Sequence, residues 1–297
     1  FSIGKNGVEK MHDLNLRGRA GNVQVEVNAH GRVIRELDRS EGSAGEDVVL
    51  TVDAGLQQYV AGRLGAESAS AAVLDVTTGE CLSVASTPSF DPNSFIQGLT
   101  TRQWGELVNN HRAPLINKAI SGRYPPGSVF KLVVALAALE SGLVDSSHRV
   151  RCIGHVKLGN KSFHCWRKGG HGRLAMTAAI AQSCDVYFYD LALKIGVERI
   201  AEMALRLGFG KISGFDLPGE QGGLVPTPDW KRALYDERWQ KGDTLNTAIG
   251  QGYLSATTLQ LAVMTARLVN GGRAVAPHLT KSVGGQVNSS SVSKAVP

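Results

Sequence analysis

A serine three residues ahead of a lysine is the arrangement that most plainly invites covalent chemistry in this chain. Ser128-Val129-Phe130-Lys131 follows Tyr124-Pro125-Pro126-Gly127 and runs into a wholly apolar stretch from Leu132 to Leu139. On a helix, a spacing of three puts both side chains on one face. A serine hydroxyl is a weak nucleophile at its ordinary pKa, and an amine desolvated against an apolar wall can lose its proton and act as its base. The helix N-terminus adds partial positive charge where an oxyanion would form. Ser-x-x-Lys also occurs at Ser2/Lys5 and Ser291/Lys294, both in polar terminal segments. Local chemistry alone therefore favours the plainer reading, in which Ser128 is an N-cap and Lys131 a snorkelling side chain.

A second constellation lies downstream. Cys152, Cys165, His171 and Cys184 are spaced Cys-x12-Cys-x5-His-x12-Cys. Three thiolates and an imidazole suit tetrahedral zinc, although the spacing matches no common finger signature. Cys152 and Cys165 bracket a Gly-containing hairpin, so a Cys152–Cys165 disulfide is also open, as are free thiols. Cys81, on a core-like strand, reads as a small buried hydrophobe, and His155 and His164 are spare ligand candidates that read rather as exposed side chains.

The elements that must position these groups follow from pattern. Val23 to Val27 alternates and is followed by a turn at 28–31 and a short strand over 32–34, a β-hairpin. Composition shifts near Gly42 to Gly45, where we place a domain boundary. Asp47 to Val52 reads as a strand and Asp53 as the N-cap of a helix over 56–64. Strands at 71–75 and 81–85 flank the turn Thr77-Thr78-Gly79. A short helix is expected near 101–107, then the buried helix from Ser128, short strands over 149–172, one helix over 177–195, a helix over 197–207, a long loop over 209–245 and a last helix over 257–269. The tail from Gly284, including Ser289 to Ser291, reads as flexible. A sheet with a central buried helix and further helices fits an α+β or α/β domain, and α+β is the class we expect.

The chain has 297 residues, 42% hydrophobic and 20% charged, which is enough for a sizeable core. Its net charge is +6, and the basic residues read as scattered rather than striped, which argues against a nucleic-acid partner. The longest apolar run, 132–139, is far short of the roughly 20 residues that span a bilayer. Beginning with Phe1, the chain reads as an excised piece of something longer.

Tyr124-Pro125-Pro126-Gly127-Ser128-Val129-Phe130-Lys131 resembles the active-site serine motif of class B penicillin-binding proteins. Further stretches resemble the family's elongation-specific branch, penicillin-binding protein 2: Gly31-Arg32-Val33-Ile34-Arg35, Leu56-Gln57-Gln58-Tyr59, Ser86-Thr87-Pro88-Ser89-Phe90-Asp91-Pro92-Asn93, Gly170-His171-Gly172-Arg173 and Gly250-Gln251-Gly252-Tyr253. The resemblance implies a penicillin-binding/serine-transpeptidase-like fold, an antiparallel sheet with a buried central helix and a helical subdomain over 46–297. A small β-rich pedestal remnant would precede it over 1–45.

It also implies roles. Ser128 would be the acylated nucleophile and Lys131 its general base. Ser183-Cys184-Asp185 stands where the family has Ser-x-Asn. Ser183 would relay a proton to the leaving amine, and Asp185 can pair with Lys131 and hold it protonated. Gly127, Gln251, Gly252 and Tyr253 would border the substrate. The third motif, Lys-Ser/Thr-Gly, is absent, so a domain lacking its C-terminal strands is expected. The implied enzyme is a D,D-transpeptidase joining peptidoglycan stem peptides, inhibited by β-lactams and needing no organic cofactor. It would work with a SEDS-family glycosyltransferase and elongation-complex proteins at the periplasmic face of the inner membrane, held by an N-terminal anchor outside this chain. A serine β-lactamase or β-lactam sensor, and a non-catalytic scaffold, are the rival classes.

Overall fold

A computed structural model describes residues 3–288 and Ala295. Two short helices, α1 (Gly7–Met11) and α2 (Asp13–Arg17), lead into an antiparallel ribbon of β1 (Asn22–Val27) and β2 (Val33–Ser40). The second strand is longer than its sequence suggests, because Arg35, Glu36 and Asp38 to Ser40 find partners in β1, with Leu37 at an irregularity of the register. Strand β3 (Val48–Leu50) follows, then α3 (Ala54–Leu64), capped by Asp53, whose carboxylate accepts from the Leu56 N–H at 2.8 Å. Strands β4 (Ala69–Leu74) and β5 (Cys81–Thr87) form the expected hairpin. Helices α4 (Asn93–Gln97) and α5 (Thr101–Val108) come next, and the first of these left no signal beyond its polar context.

The core is helical. α6 (Lys131–Glu140) packs against α8 (Asp185–Ile195) and α9 (Val197–Arg206). Val133, Val134, Ala135, Ala137 and Ala138 of α6 are buried, as are Val186, Tyr187, Phe188, Tyr189 and Leu191 of α8. Each large apolar side chain so enclosed contributes roughly 1.5–3 kcal/mol. The buried phenols are satisfied: Tyr187 donates to the His148 carbonyl at 3.1 Å and Tyr189 to the His164 carbonyl at 3.3 Å.

Two small ribbons lie beside this core, β6 (Val150–Cys152) with β9 (Gly172–Leu174) and β7 (His155–Leu158) with β8 (Lys161–His164). The single helix expected over 177–195 is two, α7 (Met176–Ala181) and α8, interrupted at Gln182 to Cys184. Ser183 sits there at φ 49°, a left-handed conformation that no helix interior accepts. The expected loop over 209–245 contains α10 (Pro228–Tyr235) and α11 (Lys241–Ala248). Thr227 with Pro228 at the first turn was the overlooked start signal. α12 (Thr258–Val269) carries the capping box of Thr257 and Gln260. Strands β10 (Thr280–Val283) and β11 (Gln286–Val287) turn at Gly284-Gly285, so the ordered fold extends past the point where the tail was expected to loosen; Ser289 to Ser291 lie outside the described residues. β3, β10 and β11 make a three-stranded sheet. It is tied to β5 by the Cys81 N–H donating to the His278 carbonyl at 2.8 Å and the Asp53 N–H to the Leu82 carbonyl at 3.0 Å.

Candidate active site

Ser128 lies in a single 3-10 turn, Gly127–Phe130, and α6 proper starts at Lys131. The turn is held from outside: the Gly127 N–H donates to the Gly250 carbonyl at 3.0 Å. Gly127 adopts φ 60° and Gly250 φ 74°, and a Cβ on Gly250 would lie 2.1 Å from the Gly127 oxygen. Only glycine meets both demands at Gly250. The segment running on to Gln251, Gly252 and Tyr253 is thereby fixed against the serine turn.

Lys131 is buried in the gap where α7 ends and α8 begins. Its Nζ donates to the Ser183 carbonyl and Ser183 Oγ, both at 2.9 Å, and to Asp185 Oδ1 at 2.6 Å. These three contacts use every proton of an ammonium group. Ser183 Oγ in turn donates to Ser128 Oγ at 2.8 Å. Lys131 therefore reaches the candidate nucleophile through Ser183. Neither serine serves as a helix N-cap: those positions belong to Pro126 and Cys184.

Asp185 is anchored on its other side. Its Oδ2 accepts the main-chain N–H of Trp166 at 2.9 Å, and the Trp166 indole donates to the Gln182 carbonyl at 3.1 Å. Trp166 was missed from the sequence, where its one distinguishing feature was adjacency to Cys165. The buried Lys131–Asp185 pair leaves the side chains 3% and 13% exposed. Such a pair adds little net stability, but removing one partner strands the other charge.

Cys184, between Ser183 and Asp185, faces away into a second cluster. One donor atom from each of Cys152, Cys165, His171 and Cys184 lies within 4.8 Å of all the others. His171 Nδ1 is 3.6 Å from Cys152 Sγ and 3.5 Å from Cys165 Sγ. A tetrahedral ion about 2.3 Å from sulfur and 2.0–2.1 Å from nitrogen would set those atoms roughly 3.6 Å apart. All four cysteines are free thiols, so no disulfide joins Cys152 to Cys165. Burial pushes the Cys184 thiol up to about 12, with Cys152 and Cys165 beside it adding to the rise. Burial, and then the Arg167 charge, lowers the His171 imidazole, which keeps it in the neutral form a metal requires. His171 Nε2 is buried with no hydrogen-bond partner. His155 and His164 stack across the β7–β8 ribbon with ring centroids 6.0 Å apart, outside the cluster. Cys81, fully buried, is raised to about 12 by burial.

Tyr253 is braced in an aromatic group, 5.2 Å from the Trp230 ring and 5.5 Å from that of Tyr235. Lys231 lies 5.5 Å over Tyr253, bonded to Asp243 at 2.8 Å and paired with Glu237 at 3.2 Å. The Asp243 hydrogen bond holds the Lys231 ammonium above its usual range. This support was not legible in sequence, since its parts come from α10, α11 and the Gly250 segment.

Residues 69–296 match the penicillin binding protein transpeptidase domain, and residues 1–50 match the penicillin-binding protein dimerisation domain. The chain is 39% identical over 282 residues to peptidoglycan D,D-transpeptidase MrdA of Escherichia coli (strain K12), covering 94% of this chain and 44% of that protein. It is 40% identical over 285 residues to the protein of the same name from Acinetobacter baumannii, covering 95% and 42%. The chain thus spans less than half the length of these curated relatives. Among solved structures, PBP2 of Pseudomonas aeruginosa in complex with WCK 5153 superposes with TM-score 0.86 at 36% identity, over 99% of this chain and 61% of that one. PBP2 of Helicobacter pylori in complex with MreC superposes with TM-score 0.89 at 33% identity, over 97% and 55%.

Proposed function

The chain belongs to the penicillin-binding protein transpeptidase family, and on that premise we propose that it carries the acyl-transfer centre of a peptidoglycan D,D-transpeptidase acting in cell elongation. The observation that carries this reading is the hydrogen-bonded line from Ser128 Oγ through Ser183 Oγ to Lys131 Nζ, with steps of 2.8 and 2.9 Å. Ser128 attacks the carbonyl between the two terminal D-alanines of a donor stem peptide. Rotation of the Ser128 and Ser183 hydroxyls lets the nucleophile's proton pass along that line to Lys131, which must be neutral at that moment. Asp185, 2.6 Å from the same nitrogen, holds the amine in place beside Ser183. The Ser128 N–H, among the first of the helix and so without an intrahelical partner, faces the developing oxyanion. The proton returns through Ser183 to the leaving D-alanine amine. An amine of a neighbouring stem then takes the acyl group by the reverse path. Gly127, Gln251, Gly252 and Tyr253 border the donor, with Tyr253 braced by Trp230.

β-Lactams acylate the same serine because their amide resembles the donor. The match of residues 1–50 supports reading residues 1–45 as the edge of an N-terminal unit and 46–297 as catalytic domain. The relative solved with MreC, and another solved as part of a peptidoglycan synthase complex, support elongation-complex partners. We further propose a SEDS-family glycosyltransferase among them and a site at the periplasmic face of the inner membrane. No helix among the described residues is long and apolar enough to cross a membrane, so attachment would come from elsewhere.

We assign the four-residue cluster to zinc, held by Cys152, Cys165, His171 and Cys184. The near-tetrahedral S···N separations, the unoxidised thiols and their crowding support this. The ion would pin the β6–β9 and β7–β8 ribbons to the head of α8, with no part in the acyl transfer.

Intact-mass measurement before and after incubation with a penicillin tests the reading. One penicilloyl adduct persisting for hours is expected, and none on Ser128→Ala. Rapid turnover would instead make the chain a β-lactamase, and a native chain that takes no label would be a scaffold.

A further inference from the structure

Between Ser146 and Cys184 the sequence has seven Lys and Arg residues and no Asp or Glu. That stretch carries more positive charge than the whole chain's +6, so the remainder is net acidic by one. The basic residues were read from the sequence as scattered, yet the positive surplus is concentrated in this stretch, with Arg151, Lys157, Lys161 and Arg173 on the strands of the two ribbons. Neighbouring acids that would normally intersperse them are supplied nowhere along either hairpin.

Register shows which way they face. In β6–β9, Val150 pairs with Leu174 and Cys152 with Gly172 on the side packed to the core, so Arg151 and Arg173, paired with each other, face outward. In β7–β8, Val156 and Phe163 pack inward while Lys157 lies on the outer side, with Lys161 at the exposed tip. Arg149, Arg167 and Lys168 are exposed as well, and none of the seven has an ion pair or side-chain hydrogen bond among the described residues. Like charges directly across an antiparallel pair repel, so Arg151 opposite Arg173 costs stability. Among the described residues neither arginine has an acidic partner, and an anionic ligand would offset that cost.

The turn that follows β8 also joins the Lys131 network. Trp166, which opens the turn carrying Arg167 and Lys168, is bonded by its N–H to Asp185 at 2.9 Å. We propose that this basic face binds the carboxylate-bearing stem peptides of a second peptidoglycan strand and steers the acceptor towards Ser128. This rests on the transpeptidase reading above. A peptide ligand is favoured over an anionic membrane because the turn carrying Arg167 and Lys168 is bonded through Trp166 to Asp185, the partner of Lys131. Exposed charges of this kind act through a field that salt screens over about 8–10 Å.

Co-sedimentation of the chain with purified sacculi tests the proposal, with penicillin acylation of the native chain measured separately as the check on the transpeptidase reading. Native sacculi should retain the chain, with retention falling as salt rises. Sacculi whose carboxylates have been amidated should not retain it. Joint replacement Arg151→Glu, Lys157→Glu, Lys161→Glu and Arg173→Glu should lower retention at least tenfold. The same charge change at Arg63, Arg102, Arg232 and Arg238 should lower it far less. Arg151→Glu alone should raise the melting temperature while weakening retention, a combination that a purely structural role forbids. Equal retention on amidated sacculi, an unaffected quadruple variant, or binding to phosphatidylglycerol vesicles in place of sacculi would each overturn the proposal. A chain that takes penicillin normally yet ignores sacculi would sink this inference alone.

Discussion

Ser183, Cys184 and Asp185 are consecutive, yet they serve two neighbourhoods of opposite character. Ser183 and Asp185 close a polar network around Lys131 in which every ammonium proton has an acceptor. Cys184 closes a cluster of three thiols and an imidazole whose ligand atoms lie within 4.8 Å of one another. The first is complete as it stands, and for the second we propose zinc. A buried network that satisfies itself is rigid, whereas thiols and an imidazole crowded together suit a soft metal ion. The break between α7 and α8 lets three adjacent side chains point into both.

The largest expected effect comes from depriving the second neighbourhood of the zinc proposed for it. Chelation, or Cys152→Ser, should remove one zinc per chain by elemental analysis. It should also cost on the order of 5 kcal/mol, lowering the melting temperature by about 10 °C or more. Loss falls on the ribbons first, so hydrogen exchange should rise over 150–174 before it rises in α6. Metal retention should weaken as pH falls, since each thiolate must be reprotonated for the ion to leave. A chain isolated without chelator that holds no zinc would erase the contrast.

Breaking the first neighbourhood should cost less in stability and more in chemistry. Asp185→Ala leaves the Lys131 ammonium buried without its countercharge and should destabilise by about 3–5 kcal/mol. Denaturant unfolding gives the stability, and the rate of penicillin acylation gives the chemistry. Asp185→Asn retains the side-chain oxygen and should destabilise less than Asp185→Ala. Equal stability of the native and Asp185→Ala chains would mean the pair is not buried as described. The smallest effect belongs to a site remote from both: Asp53→Ala removes one N-cap and should cost about 1 kcal/mol, leaving zinc content and acylation as they were.

Much of this was legible beforehand. The hairpin of β1 and β2, the Asp53 cap, the β4–β5 pair and the apolar α6 all follow from patterns confined to a few neighbouring residues, and they stand where local physics puts them. The helix break at Ser183 was not legible. The apolar periodicity from 177 to 195 runs through it unbroken, and the left-handed turn is imposed by what Lys131 and the cysteine cluster require. α10 and α11 were hidden for a related reason. Their polar, Pro-bounded segments carry weak apolar stripes, and their place is set by the Trp230–Tyr253 and Lys231–Asp243 contacts.

By itself, then, the order of residues determined which groups can do chemistry: a serine and lysine one turn apart at the head of an oily helix, and soft ligands in a Gly-rich stretch. Tertiary structure alone decided that Lys131 meets Ser128 by way of Ser183, that Trp166 holds Asp185, and that Arg151 and Arg173 stand opposite each other across β6–β9. Spacing of three or four residues lies within the reach of a helix, so sequence can specify it. Contacts across fifty residues depend on how separate elements dock, and only the packed core fixes that.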